Sequence, residues 1–88
     1  MIRRRVVVHG YVQGVYFRDT LRRMAQQRGG AGWVRNNPDG AVEAVLEGDE
    51  GVVQGLVEWM HRGPRGAEVD RVDVMEEAPE GERGFTIR

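Results

Sequence analysis

The junction between a β-branched run and a helical pattern near the start of the chain constrains the fold most. Val6-Val7-Val8 is typical of a central strand, which we predict to end at Gly10 or Tyr11. Gly10 and Gly14 bracket a short loop, and from Phe17 to Arg28 the apolar residues fall at helical spacing. Backbone N–H groups converge where such a loop meets a helix N-terminus, and Arg18 adds a full positive charge. The junction therefore predicts either an anion-binding loop or an ordinary strand-to-helix connection, and spacing alone leaves both open.

The rest of the chain alternates between strand and helix patterns. Residues 37–40 predict a tight turn, because Pro38 fixes one φ angle and Gly40 allows a positive one. In the strand that follows, apolar residues 42, 44 and 46 share one face, while Glu43 and Glu47 share the other. In chain order we predict a strand over 4–11, a helix over 17–28, strands over 32–36 and 41–47, a helix from 49 to 63 with Asp49 as N-cap, and strands over 67–76 and 85–87.

This order of elements predicts an α+β fold, the ferredoxin-like sandwich. The pattern βαββαβ with a short C-terminal strand gives a mostly antiparallel sheet with two helices on one face. The template places the first four strands in the order 4-1-3-2, with the fifth at an edge. A length of 88 residues fits one domain over residues 1–88, since a chain of this size buries a single core.

Composition narrows the classes of function. The absence of cysteine excludes disulfides, thiolate metal sites and cysteine nucleophiles, and neither His9 nor His61 has a second ligand at metal spacing. We therefore predict no metal site and no cofactor, and we interpret both histidines as structural or surface residues. A net charge of -1 argues against general nucleic-acid binding. No long apolar segment is present, so we expect no membrane partner and a cytoplasmic location. We expect a monomer, because no second apolar face is obvious.

Two motifs resemble the signatures of the acylphosphatase family. The stretch Gly10-Tyr11-Val12-Gln13-Gly14-Val15-Tyr16-Phe17-Arg18 resembles the family pattern Gly-x-Val-Gln-Gly-Val-x-Phe-Arg. The stretch Gly32-Trp33-Val34-Arg35-Asn36 resembles its second pattern, Gly-x-Val-x-Asn. The turn Pro38-Asp39-Gly40 and the closing Phe85-Thr86-Ile87 also fit, so the resemblance covers essentially the whole chain.

The resemblance implies a fold, an activity and a set of site residues. The implied fold is the same sandwich, and the implied activity is metal-independent hydrolysis of the carboxyl-phosphate anhydride of small-molecule acyl phosphates. Arg18 matches the phosphate-binding arginine and Asn36 the catalytic asparagine of the family. Residues 11–17 match the backbone cradle for the phosphate oxygens: Tyr11, Val12, Gln13, Gly14, Val15, Tyr16 and Phe17. Asn37 departs from many relatives and receives no role.

The implied chemistry suits these residue types. An acyl phosphate is already activated, so the protein must only hold the phosphoryl group, neutralise charge and direct one water. The arginine fork matches two phosphate oxygens, and a neutral asparagine can hold water without repelling the phosphate. Tyr11 and Tyr16 could line the acyl side of the pocket or simply cover the sheet edge. Rival functions are a binding module, as in acylphosphatase-like domains of carbamoyl-handling maturation proteins, and an RNA-binding sheet.

Overall fold

A computed structural model describes all 88 residues as one sheet with two helices. Each predicted element is present, and most boundaries move by two residues or fewer. The elements are β1 (Ile2–Tyr11), α1 (Phe17–Arg28), β2 (Ala31–Asn36), β3 (Val42–Gly48), α2 (Glu50–Arg62), β4 (Glu68–Glu77) and β5 (Phe85–Ile87).

The sheet has the order β4-β1-β3-β2-β5, which confirms the order predicted from the sandwich template. β1 pairs antiparallel with both β3 and β4, and β2 pairs antiparallel with β3. Only β5 is parallel to its neighbour, with Val34 opposite Ile87. Each βαβ crossover returns its strand to the far side of a neighbour, so the two helices cover the same face. The mostly antiparallel ferredoxin-like fold is therefore confirmed.

The core lies between the helices and one face of the sheet. Alternate residues of β1 and β3 point into it, including Val6, Val8 and Leu46, which are fully buried. α1 contributes Leu21 and α2 contributes Leu56 from their apolar stripes. Helical spacing places these leucines on the inner faces of their helices, where burial stabilises each by about 1.5 to 3 kcal/mol.

The opposite face of the sheet carries a network of ion pairs. Glu47 is only 1% exposed, and its carboxylate accepts a 2.6 Å bond from Arg3 and further bonds from the backbone N–H groups of residues 80–82. Glu77 and Glu82 also bind Arg3, at 2.8 and 3.0 Å. Glu77 and Glu82 are therefore partly buried in ion pairs, whereas Glu76 and Glu80 stay exposed. The register of β1 places Arg3 opposite Glu47 of β3 and Glu77 of β4.

Three further side chains have defined places in this fold. His9 has a carboxylate partner, since its Nε2 lies 3.0 Å from Asp73 Oδ2 across the β1–β4 pair. Trp33 is buried on the open sheet face under the guanidinium groups of three arginines. Asp49 precedes α2 but its side chain makes no capping hydrogen bond. No helix combines the length and the apolar character needed to cross a membrane.

Candidate active site

The loop between β1 and α1 has an unusual backbone. Gly14 has a φ of 78°, and Tyr16 has a φ of 63°, which makes it the only non-glycine residue with a positive φ in the chain. A left-handed conformation costs an L-residue roughly 1 to 2 kcal/mol, so Tyr16 holds local strain immediately before the helix. Gly10 precedes the loop at a bulge, where a Cβ atom would lie 2.1 Å from Glu68 O. The loop therefore starts and turns at positions that require glycine.

This backbone leaves a row of donors without internal acceptors. No backbone N–H from residues 12 to 18 donates a hydrogen bond to any protein atom. The first helical N–H to be satisfied is that of Thr20, which donates to Tyr16 O at 3.0 Å. The N-terminal dipole of α1 adds partial positive charge at the same place. Unbonded N–H groups on a turn before a helix form a site that suits an anion with several oxygens.

Arg18 makes no salt bridge, unlike Arg22 and Arg23 in the same part of α1. Its neighbour Asp19 binds Arg22 at 2.6 Å and Arg23 at 3.2 Å, so both Asp19 oxygens are occupied elsewhere. Arg18 is partly buried in the first helical turn, where a cation is unfavourable for the helix dipole. An unpaired cation in this position suits the binding of an anion between the guanidinium and the helix end.

Asn36 ends β2 on the same side of the sheet as α1. It is opposite Val42 in the ladder, and alternation along β2 gives it the same face as the buried Val34. Its Oδ1 is buried without a hydrogen-bond partner, and its Nδ2 donates to no protein acceptor. A buried unpaired amide oxygen costs about 1 to 3 kcal/mol, so this side chain does not serve the stability of the fold.

Arg18 and Asn36 line the same open cleft, whose volume is about 410 Å³. Four of the seven residues predicted as the phosphate cradle line it too. The complete lining is Val12, Gly14, Tyr16, Phe17, Arg18, Asp19, Asn36 and Ile87. The cleft therefore combines a free cation, the turn with unbonded N–H groups and an amide without internal partners.

Three predicted cradle residues lie outside the cleft lining. Tyr11 ends β1 opposite Glu68 and is largely exposed, and Val15 packs against the core. Gln13 connects two parts of the site, since its Nε2 donates to Asn37 O at 2.8 Å and to Ala41 O at 2.9 Å. That side chain links the loop to the turn that follows Asn36. We define this pair of hydrogen bonds as the Gln13 tether.

Sequence reasoning missed two residues of the cleft. Ile87 enters it because β5 pairs in parallel with β2, and the inward alternation of β5 is the only sequence signal for this position. Asp19 lies in the first turn of α1, where its sequence position indicates only an acidic residue suited to the helix dipole. Asn37, next to Asn36, binds Glu43 through its Nδ2 at 3.0 Å and does not line this cleft.

Neither histidine belongs to the cleft, and no three His, Asp or Glu side chains come together in a metal-binding group. His61 donates through Nδ1 to Val57 O, one helical turn earlier, at 3.0 Å. The carboxyl groups whose pKa departs from its ordinary value lie on the open face of the sheet, away from the helices. Burial acts to raise the pKa of Glu43, but hydrogen bonds from Asn37, Arg5 and Arg35 outweigh it and hold that pKa below its ordinary value.

Comparisons with known proteins agree with this fold. The Acylphosphatase family model matches residues 4–87. An acylphosphatase of Rubrobacter xylanophilus is 56% identical over 85 residues, which cover 96% of this chain and 77% of that protein. The crystal structure of acylphosphatase from Bacillus subtilis superposes with a TM-score of 0.95 at 39% identity, over 100% of this chain and 99% of that one.

A larger protein contains a similar segment. The crystal structure of full-length HypF in its phosphate- and nucleotide-bound form superposes with a TM-score of 0.91 at 26% identity. The match covers 99% of this chain but only 12% of that chain. The relatives named acylphosphatase are matched over most of their own length, and the family model spans nearly all of this sequence. The chain therefore belongs to the acylphosphatase family.

Proposed function

We propose that this protein hydrolyses acyl phosphates to a carboxylate and inorganic phosphate without a metal ion. One observation carries the proposal: a free arginine, the loop with unbonded N–H groups and the unpaired Asn36 amide meet at one cleft. Family membership supports the same activity. All of these groups come from one chain, so the proposed site needs no partner subunit.

The loop and Arg18 form the grip on the phosphoryl group. The planar guanidinium offers parallel N–H donors to two phosphate oxygens, and the N–H groups of residues 12–18 offer donors to the remaining oxygens. These donors are fixed before substrate binds, so they stabilise charge in the transition state without reorganisation. The leaving carboxylate is a weak base, so the site needs no strong general acid.

Asn36 is the proposed holder of the attacking water. Its Nδ2 can donate to a water, and rotation about the terminal amide torsion presents Oδ1 as an acceptor. A neutral amide holds water beside a dianion without the repulsion that a carboxylate would add. No general base lies among the cleft residues except Asp19, which already binds Arg22 and Arg23. The proton of the water therefore passes to the substrate in this proposal.

A phosphate-binding module without turnover is the second candidate. The similarity to a segment of full-length HypF favours it, because that structure is described as phosphate-bound. Both candidates use the same grip, and only the enzyme requires Asn36 to direct a water. An RNA-binding sheet receives no support, because ion pairs occupy the open face and its one buried tryptophan lies beneath arginines.

A hydrolysis assay with benzoyl phosphate tests the proposal. The protein is treated with a chelator and assayed against a buffer blank, and calorimetry measures its binding of inorganic phosphate. We expect turnover that the chelator leaves unchanged. Phosphate binding without turnover would favour the binding module instead, and turnover abolished by the chelator would contradict the metal-free mechanism.

A further inference from the structure

The side chain of Tyr16 has no role in holding the fold. It is 80% exposed, the highest value among the large apolar residues, and its hydroxyl makes no hydrogen bond within the protein. Its backbone is left-handed, a conformation that glycine or asparagine adopts more readily than tyrosine. A bulky aromatic residue thus occupies a position where the backbone favours a smaller one and where packing offers no compensation.

The side chain of Tyr16 lies beside the residues that are proposed to hold the phosphoryl group, where it can contact a bound ligand. It lines the cleft together with Arg18 and Asn36. The apolar neighbours Val12 and Phe17 are almost completely buried, so they offer a ligand little surface. Tyr16 and the half-buried Ile87 are the apolar residues that a ligand leaving the phosphate cradle can contact.

The far side of Asn36 offers a contrasting surface. A second depression follows the β2–β3 turn, and it is lined by Arg35, Asn36, Asn37, Pro38 and Asp39. An apolar acyl group gains nothing from these charged and amide side chains, whereas an aromatic wall buries its surface. The two sides of Asn36 therefore differ in what they can bind.

We propose that Tyr16 determines specificity for the acyl group, and that the site favours acyl phosphates with an aromatic or comparably bulky apolar acyl group over acetyl phosphate. This inference rests on the proposed hydrolase function. The phosphate end is fixed by Arg18 and the loop, so the acyl group extends along the cleft against the tyrosine ring. The contact lies away from the bond that breaks, so it acts on substrate binding.

Three variants and two substrates test the role of the ring. Tyr16→Gly and Tyr16→Asn remove the ring but tolerate the left-handed backbone, while Tyr16→Phe keeps the ring and serves as the matched control. We measure kcat and KM for benzoyl phosphate and for acetyl phosphate. The ratio of the two kcat/KM values cancels any general effect of the substitution on the loop, and circular dichroism checks that each variant is folded.

We expect the benzoyl-to-acetyl ratio of kcat/KM to fall by about 2- to 10-fold in Tyr16→Gly and Tyr16→Asn, the range of an aromatic contact. The change should lie in KM for benzoyl phosphate, since uniform binding is lost, and Tyr16→Phe should keep the wild-type ratio. An unchanged ratio in both ring-free variants, or an equal change in Tyr16→Phe, would overturn the inference. If the wild type hydrolyses neither substrate, the proposed function fails as well, so the two failures are distinguishable.

Discussion

The Gln13 tether connects the loop that is proposed to hold the phosphoryl group to the turn that follows Asn36. We predict that removing the tether lowers the activity of the protein more than its stability. Gln13→Met removes the donor while keeping a side chain of similar length. Both carbonyls keep a second donor, because Gly40 N still binds Asn37 O at 3.1 Å and Asn37 N still binds Ala41 O at 2.8 Å. The substitution therefore leaves no acceptor unsatisfied, and the direct cost is two hydrogen bonds.

The size of the effect follows from those two bonds. At about 0.5 to 1.5 kcal/mol each, they contribute about 1 to 3 kcal/mol to holding the loop against the turn. If this free energy positions the loop for the reaction, its loss lowers kcat/KM by about 5- to 150-fold, at about 1.4 kcal/mol per tenfold. The N–H groups of the loop donate to no protein acceptor, so the tether contributes to their position and we expect its loss to appear in activity.

The assay compares Gln13→Met with a matched control, Gln26→Met. Gln26 also donates from its Nε2 to a backbone carbonyl, that of Phe85 at 3.2 Å, but it lies outside the cleft. Hydrolysis of benzoyl phosphate and urea denaturation are measured for both variants. We expect kcat/KM to fall at least fivefold in Gln13→Met but not in Gln26→Met. The fall corresponds to the loss of about 1 to 3 kcal/mol from the two hydrogen bonds of the tether. A kcat/KM within twofold of the wild type in Gln13→Met would refute the reasoning.

Two further predictions concern the ion pairs on the open face. Glu47→Gln removes the closest carboxylate partner of the buried Arg3, while Glu77 and Glu82 keep their ion pairs, so we expect a loss of about 1.5 to 3 kcal/mol in the free energy of unfolding. Glu80 is 67% exposed and lies 3.8 Å from the same arginine, so Glu80→Gln should lower the free energy of unfolding by less than about 1 kcal/mol in urea denaturation. Equal losses in the two variants would contradict the prediction. Burial acts to raise the pKa of Glu47, but bonds from the N–H of Glu80 and from Arg3 outweigh it and lower that pKa below its ordinary value. A depressed folded-state pKa gives stability that is present above the unfolded value of about 4.3 and is lost as pH falls through the folded value. The urea concentration at the unfolding midpoint should therefore decrease as the pH is lowered below about 4.5. The decrease should be shallower in Glu47→Gln, and parallel decreases in both proteins would count against this cause.

Sequence patterns predicted the fold because local signals and topology agree in this chain. The period changes from two to helical spacing after the β1–α1 loop, and glycine or proline marks each boundary. The alternation also placed Glu43 and Glu47 on the face away from the helices. It did not predict that they are buried, because their arginine partners lie on β1, and the β1–β3 register is a tertiary fact.

The candidate site was likewise predictable where it rests on local motifs and not where it rests on tertiary contacts. Arg18 and Asn36 were predicted from the motifs, and the structure brings them to one cleft, while their chemical roles stay predictions. The Gln13 tether could not be predicted, because its acceptors are backbone carbonyls on a turn more than twenty residues away. Ile87 joins the cleft through the parallel β2–β5 pair, which short-range patterns do not reveal.

The central claim is that Arg18 and Asn36 act on the same phosphate with different tasks, and one paired measurement tests it. Calorimetry gives the Kd of inorganic phosphate, and benzoyl phosphate hydrolysis gives kcat, for wild type, Arg18→Ala and Asn36→Ala. We expect Arg18→Ala to lose both, because the guanidinium supplies the charge of the grip. Asn36→Ala should bind phosphate within about threefold of wild type while kcat falls about 100-fold, because only water positioning is lost. Near-normal kcat in Asn36→Ala, or phosphate binding retained in Arg18→Ala, would contradict the account.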